Sequence, residues 1–321
     1  MEPHQKLVAW ASLIVGSMAA GYAARKLRWL GESTSRVLMT VVMALGYSSV
    51  QLLAIWKTEL SADLVLLPIL GAISAAMMLL LGLFCARLLT GDRAEMGIFS
   101  IASGAANTGV TMGGLVLLAL YGQRGLALMS IYCIMWMPLI VIMMYPIARH
   151  FSPDHTSGSL GRLMLRSIFD WRSLGLPMAL LGLALNLLNQ HQPEVISSIH
   201  LAEIFAVLTT SAAYFSIGLT LRLRGALAML RLILGLAVTR FVLSGLVAAG
   251  LVWATARLGF HVSWELRNTV IIEAMMPAAV ATAAIASMFN LRPDRASTLF
   301  VVNTLMFIAM VMPVVFWLFS R

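Results

Sequence analysis

Two ionisable side chains stand out because each falls inside a long apolar run. Glu273 is the one carboxyl among the 13 Asp and Glu residues that lies deep in such a run, about 10 Å from its nearer end at a helical rise of about 1.5 Å per residue. A charge at the centre of a membrane helix costs about 2.5–3.5 kcal/mol on insertion scales, and such groups mark ion pathways or proton relays. Desolvation disfavours the charged form of a carboxyl. Glu273 is therefore the candidate for proton or ion coupling, with a hydrogen bond or ion pair to a neighbouring helix as the alternative. Arg240 is the one cation far from a run end, roughly 13 Å along the helix from Arg231. Its planar guanidinium can grip an anionic ligand through paired bonds. It can also neutralise Glu273, or snorkel toward the interface.

Two further apolar runs are interrupted by residues that weaken helices. The first interruption runs from Gly104 through Asn107-Thr108-Gly109 to Gly113-Gly114, and the second is Glu273-Ala274-Met275-Met276-Pro277-Ala278-Ala279, followed by Thr282. Glycines let a helix unwind and free its backbone groups, and Pro277 removes a donor and disfavours helix at Met276. Broken half-helices aim positive N-terminal ends at anions and negative C-terminal ends at cations. Asn107, Thr108, Gly109, Gly114 and Pro277 are thus expected to form a binding site. Thr282, Asn303, Ser211 and Tyr214 are secondary candidates, because a helix-to-helix hydrogen bond worth about 0.6 kcal/mol also explains a polar residue in a span.

These residues need elements to hold them, and composition says which. Of 321 residues, 60% are hydrophobic and only 11% charged, too apolar for a soluble core of ordinary make-up. Ten apolar stretches are candidates to span a hydrocarbon core of about 30 Å, the sixth of them short: 6–24, 37–56, 64–89, 96–120, 125–148, 174–188, 201–220, 231–256, 266–289 and 296–319. Backbone groups in lipid must be satisfied internally, and runs of Leu, Met, Ala and Gly do this as helices rather than alternating barrel strands. The expected fold is an all-α polytopic membrane protein. The first run lacks a basic leading segment and is read as a retained helix.

The net charge of +9 raises a nucleic-acid reading, which the position of the charges removes. Fifteen of the 22 Lys and Arg residues, including Arg25, Lys26, Arg87, Arg149, Arg222 and Arg292, fall in loops on one side of the expected bundle. That side is cytoplasmic by the positive-inside rule, which puts both termini outside. Cys85 and Cys133 lie in spans and read as free thiols. The six histidines make no metal-ligand spacing, so neither metal nor cofactor is expected. An intramembrane enzyme would need a nucleophile, base or metal cluster, and the spans hold no histidine near a deep serine, no aspartate pair and no zinc ligands.

Five spans precede the polar stretch near Arg149–Arg172 and five follow, so the second set must cross the membrane in the opposite sense. The expected organisation is a first five-helix repeat at 1–150, a cytoplasmic linker at 151–173 and a second, inverted repeat at 174–321. Leu160–Trp171 either lies along the lipid surface or is ordinary linker. Trp136-Met137-Pro138 and Val311-Met312-Pro313 align at a shift of 175 residues (313 − 138), which matches Asn107 with Thr282.

Several segments then resemble one family. Gly21-Tyr22-Ala23-Ala24-Arg25-Lys26-Leu27-Arg28-Trp29-Leu30, Asn107-Thr108-Gly109 with Tyr121-Gly122, Phe215-Ser216-Ile217-Gly218-Leu219, Met276-Pro277-Ala278-Ala279 and Asn303-Thr304-Leu305 are similar, in order and spacing, to the auxin efflux carrier family. Its bacterial members include carriers assigned to malonate, and its fold is shared in outline with bile acid sodium symporters. The family usually carries proline in the second span and again after the asparagine of the fourth, where this chain has Gly46 and Gly114. The resemblance implies ten helices in two inverted repeats, crossing broken helices four and nine, and transport of a small organic carboxylate coupled to a proton or ion gradient.

Together these features imply a secondary active transporter of small organic anions working by alternating access, driven by H+ or Na+. No Walker A sequence is present to suggest direct ATP hydrolysis. A passive channel or a sensor on a transporter scaffold is the alternative. Arg far above Lys and short loops point to a bacterial inner membrane, and a homodimer fits the resemblance.

Overall fold

The computed structural model describes residues 3–153, 161–162, 165, 174–221 and 226–320; most of the expected linker at 151–173 lies outside the described residues. Within them the protein is helical, and its sole strand-like feature is an isolated antiparallel bridge between Ala106 and Ala278. The main helical segments are α1 (Pro3–Lys26), α2 (Ser33–Lys57), α3 (Ala62–Leu89), α4 (Arg93–Gly104), α5 (Gly113–Tyr121), α6 (Gln123–Phe151), α7 (Gly175–Leu187), α8 (Leu201–Thr220), α9 (Leu227–Arg257), α10 (Trp264–Ala274), α11 (Val280–Met288) and α12 (Pro293–Phe319), with a short turn of helix at Glu194–Ser198 between α7 and α8. Six of them, α2, α3, α6, α8, α9 and α12, are long and apolar enough to cross a membrane. The two expected breaks are real interruptions, separating α4 from α5 and α10 from α11.

Local chemistry sets the ends. Asp92 caps α4, its carboxylate accepting from the N–H groups of Ala94 and Glu95 at 2.9 and 3.1 Å, and Ser263 caps α10 through Leu266 N–H at 3.2 Å. Such caps satisfy donors that a helix start leaves free. Gly122 turns α5 into α6 at φ 62°, ψ −146°, a conformation essentially restricted to glycine.

Four stretches wind wider, as π-helix: Val42–Tyr47, Ile140–Met144, Thr239–Leu243 and Phe307–Val311. Two have an evident cause. Pro146 and Pro313 each sit just beyond a π stretch, and a proline inside a helix lacks the N–H and collides with the carbonyl four residues back, which an extra residue in the turn relieves. Pro146 and Pro313 thus share a local geometry, each two residues beyond the end of its π stretch. Thr239–Leu243 contains no proline and carries Arg240.

Two groups of helices emerge from the packing. In one, α1 lies on α8 and α7 on α2. Gly21 and Gly218 face each other's backbones so closely that a Cβ on either would collide with a carbonyl of the other helix, the small-residue contact by which membrane helices gain van der Waals packing. In the other group α3 packs on α4, α9 and α10, and α12 on α9 and α11. Two ion pairs, Arg292–Asp92 at 2.6 Å and Arg295–Glu95, tie the start of α12 to the start of α4.

Candidate functional site

The two interruptions meet. Asn107 N–H donates to Pro277 O at 2.7 Å and Ala279 N–H donates to Ala105 O at 2.8 Å, closing an antiparallel pair around Ala106 and Ala278. The pair is antiparallel, so Asn107 stands opposite Pro277 and Ala105 opposite Ala279; Thr282, matched with Asn107 by the 175-residue shift, lies outside the pair, in the first turn of α11. Unwinding releases the backbone groups that make these bonds. Asn107 O also accepts from Gly113 N–H at 3.0 Å, and Gly109 O accepts from Gly114 N–H at 3.0 Å, so each glycine of the break has a defined place.

Side chains then fix both breaks. Asn107 accepts from the Thr111 hydroxyl at 2.7 Å and donates to Tyr214 Oη at 3.4 Å. Asn303, on α12, accepts the Ala278 N–H at 2.8 Å. Thr108 lies beside Cys133, whose thiol donates to Thr108 O at 3.4 Å. Thr282 is buried in the first turn of α11 with its hydroxyl unpaired. Gly114 sits against Met129 and Gly46 against Thr209 so tightly that a Cβ at either would displace its neighbour. Pro277 contributes its carbonyl and has no N–H to satisfy.

Arg240 is 1% exposed and donates four hydrogen bonds, all to backbone carbonyls: Nε to Met276 O at 3.0 Å, Nη1 to Ser103 O at 2.7 Å, and Nη2 to Ala274 O at 2.7 Å and Met276 O at 2.6 Å. Among the described residues it makes no ion pair with a carboxylate. Neutralising Glu273 through a direct pair and snorkelling outward are both absent from this geometry.

Glu273 is fully buried, and neither of its carboxyl oxygens has a hydrogen-bond partner among the described residues. They press on Gly113 at the start of α5, where any side chain would collide with them. Thr269, one turn earlier on α10, is likewise buried with its hydroxyl unpaired. A buried polar atom without a partner carries a desolvation penalty of about 1–3 kcal/mol, more if charged. Glu273 and Thr269 form one such face.

An open cleft reaches the first break and the start of α11, lined by Tyr47, Gln51, Asn107, Gly109, Thr111 and Trp136 together with Met39, Val42, Met43, Met137 and Val280. No charged side chain lines it among the described residues. Asn107 and Gly109 face this space, whereas Arg240 and Thr108 line a smaller one behind the crossover with Ser74 and Tyr132. Sequence reasoning missed Tyr47, Thr111, Trp136 and Thr269. The spacing of Thr269 and Glu273, four residues apart on a helix and so on one face, was the available signal for the last.

A bundle of apolar helices, two of them broken and joined at their breaks around buried polar groups, defines a helical membrane protein of the transporter type. The membrane transport protein family model matches residues 9–318, and the chain belongs to that family, the auxin efflux carriers, as the sequence resemblance indicated. It is also 26% identical over 307 residues to an uncharacterized transporter of Methanothermobacter thermautotrophicus, covering 89% of this chain and 90% of the relative.

Proposed function

We propose that the protein is a secondary active transporter of small organic anions, working by alternating access and coupled to a proton or sodium gradient. The observation that carries this reading is the bonded pair of helix breaks, with Asn107 and the N-terminal end of α11 facing an open cavity. Half-helix ends at such a junction supply partial charges to a ligand without a charged side chain. Asn107, Thr108 and Gly109, with Gly114 and Pro277 shaping the break and Thr282 and Asn303 on the second side, make up the proposed substrate site. Glu273, unpaired beside Gly113, is the proposed coupling group.

The local two-fold character of the Ala106–Ala278 pair and the matching π turns before Pro146 and Pro313 support a ten-helix arrangement of two inverted five-helix repeats. In the same reading both termini face outward from a bacterial inner membrane, and two copies associate as a dimer. The group built on α1, α2, α7 and α8 then moves against the other around the fixed crossover.

Uptake of labelled mono- and dicarboxylates, malonate included, into proteoliposomes under imposed proton or sodium gradients tests the proposal. Saturable flux is expected in the wild type, loss of flux in Asn107→Ala, and in Glu273→Gln flux that no longer follows the gradient. Unitary currents in place of saturable flux would replace the carrier with a channel.

A further inference from the structure

Two half-helices end at the crossover with their C-termini inward. α4 presents Ser103 O and α10 presents Ala274 O, with Met276 O just beyond. Each such end bears a partial negative charge of roughly half an electron. In broken-helix transporters these ends, together with unwound carbonyls, are where a coupling cation is held. Here one guanidinium reaches all three carbonyls, binding both ends at once. Four of the five N–H donors of an arginine are spent in this way, and the backbone at Arg240 is a π turn without a proline, a feature frequent at functional sites.

We propose that Arg240 is the positioning residue of the crossover: its guanidinium is a built-in cation that holds the C-terminal ends of α4 and α10 together and takes the place of a coupling sodium ion there, so that transport is independent of sodium. This deepens the transporter reading and rests on it for the statement about sodium. The claim that Arg240 holds the junction rests on the geometry alone. The remaining Nη1 donor is directed elsewhere than the three carbonyls, and lysine cannot replace the residue fully, because an ammonium lacks the planar fork that spans carbonyls on two helices.

The test uses the full-length purified protein and the variants Arg240→Met and Arg240→Lys. Amide hydrogen exchange is expected to rise by about tenfold or more at 105–114 and 275–282 in Arg240→Met, and less in Arg240→Lys, with α1 and α8 unchanged, since removing one member of a buried polar set leaves its partners unpaired. Unchanged protection at both breaks in Arg240→Met overturns the positioning role. In proteoliposomes, wild-type malonate uptake is expected to be equal in sodium and choline media, and Arg240→Lys is expected to lower kcat by about tenfold with KM within about twofold, the pattern of an interaction not made with bound substrate. An absolute sodium requirement overturns the replacement of sodium, and a rise in KM alone overturns positioning in favour of direct substrate contact. Should Arg240→Met not fold, the exchange and kinetics of Arg240→Lys decide by the same criteria. If the wild type moves none of the acids while Arg240→Met still loosens both breaks, the transporter reading fails and the positioning role stands.

Discussion

Glu273 and Gly113 make a tight contact. A carboxyl with neither oxygen bonded is held against the one residue type small enough to admit it. Gly113→Ala is expected to destabilise by about 1–3 kcal/mol through overpacking, read as a lowered melting temperature. The double variant Gly113→Ala/Glu273→Ala should recover most of that loss, because contacting residues couple; additive losses would show that the two side chains do not meet. The sequence disclosed Glu273, Asn107 and Pro277, since an ionisable group, an amide and a proline are each conspicuous in an apolar run. It did not disclose the bonding partners of Arg240, because carbonyl acceptors are present at every residue and which of them become free is decided by where the helices break.

At the scale of helices, the apolar runs gave the element boundaries closely: the run expected at 201–220 is α8, Leu201–Thr220, and that at 64–89 falls within α3, Ala62–Leu89. The breaks were legible because glycine and proline punctuate helices by stereochemistry alone. The π turns were not, since only two of the four stand before a proline and a proline in a membrane helix can also produce a kink without widening. Restoring the N–H in Pro313→Ala should let Phe307–Val311 return to regular α-helix and shift the register of Met312–Phe319, roughly the last two turns of α12. The expected result is altered flux with a melting temperature equal to or above that of the wild type; a lower melting temperature would show that the wide turn is held by packing and not by the proline. In α1 and α8, Gly21→Leu should be far more damaging, about 2–4 kcal/mol, because the side chain would have to enter the backbone of the opposite helix. Loss of folded protein on size-exclusion chromatography would report it.

For the whole molecule, one polar cluster at the end of α2 joins it to α6 and α8. Lys57 Nζ donates to Gln123 Oε1 at 3.2 Å, and Gln123 Nε2 lies 2.8 Å from His200 Nδ1, joining α2, α6 and the start of α8. Under alternating access such contacts must separate in each cycle. The pair Lys57→Cys and Gln123→Cys is therefore expected to arrest uptake when oxidised and to release it when reduced; undiminished uptake with the bond formed would mean that α2 and α6 do not move apart. Sequence alone could supply the family and the helix order, whereas this grouping depends on side-chain contacts between segments more than 60 residues apart.

The chain of contacts from Asn107 O to Gly113 N–H, and from Gly113 to the Glu273 carboxyl, is only two steps long. Whatever a ligand at Asn107 does to proton affinity at Glu273, a proton at Glu273 must do to ligand affinity by the same factor, because linkage between equilibrium sites is reciprocal. Protons taken up or released on mixing protein and ligand in weak buffer must therefore equal the slope of log Kd against pH, and that equality can be checked in detergent, without a membrane and without any flux at all.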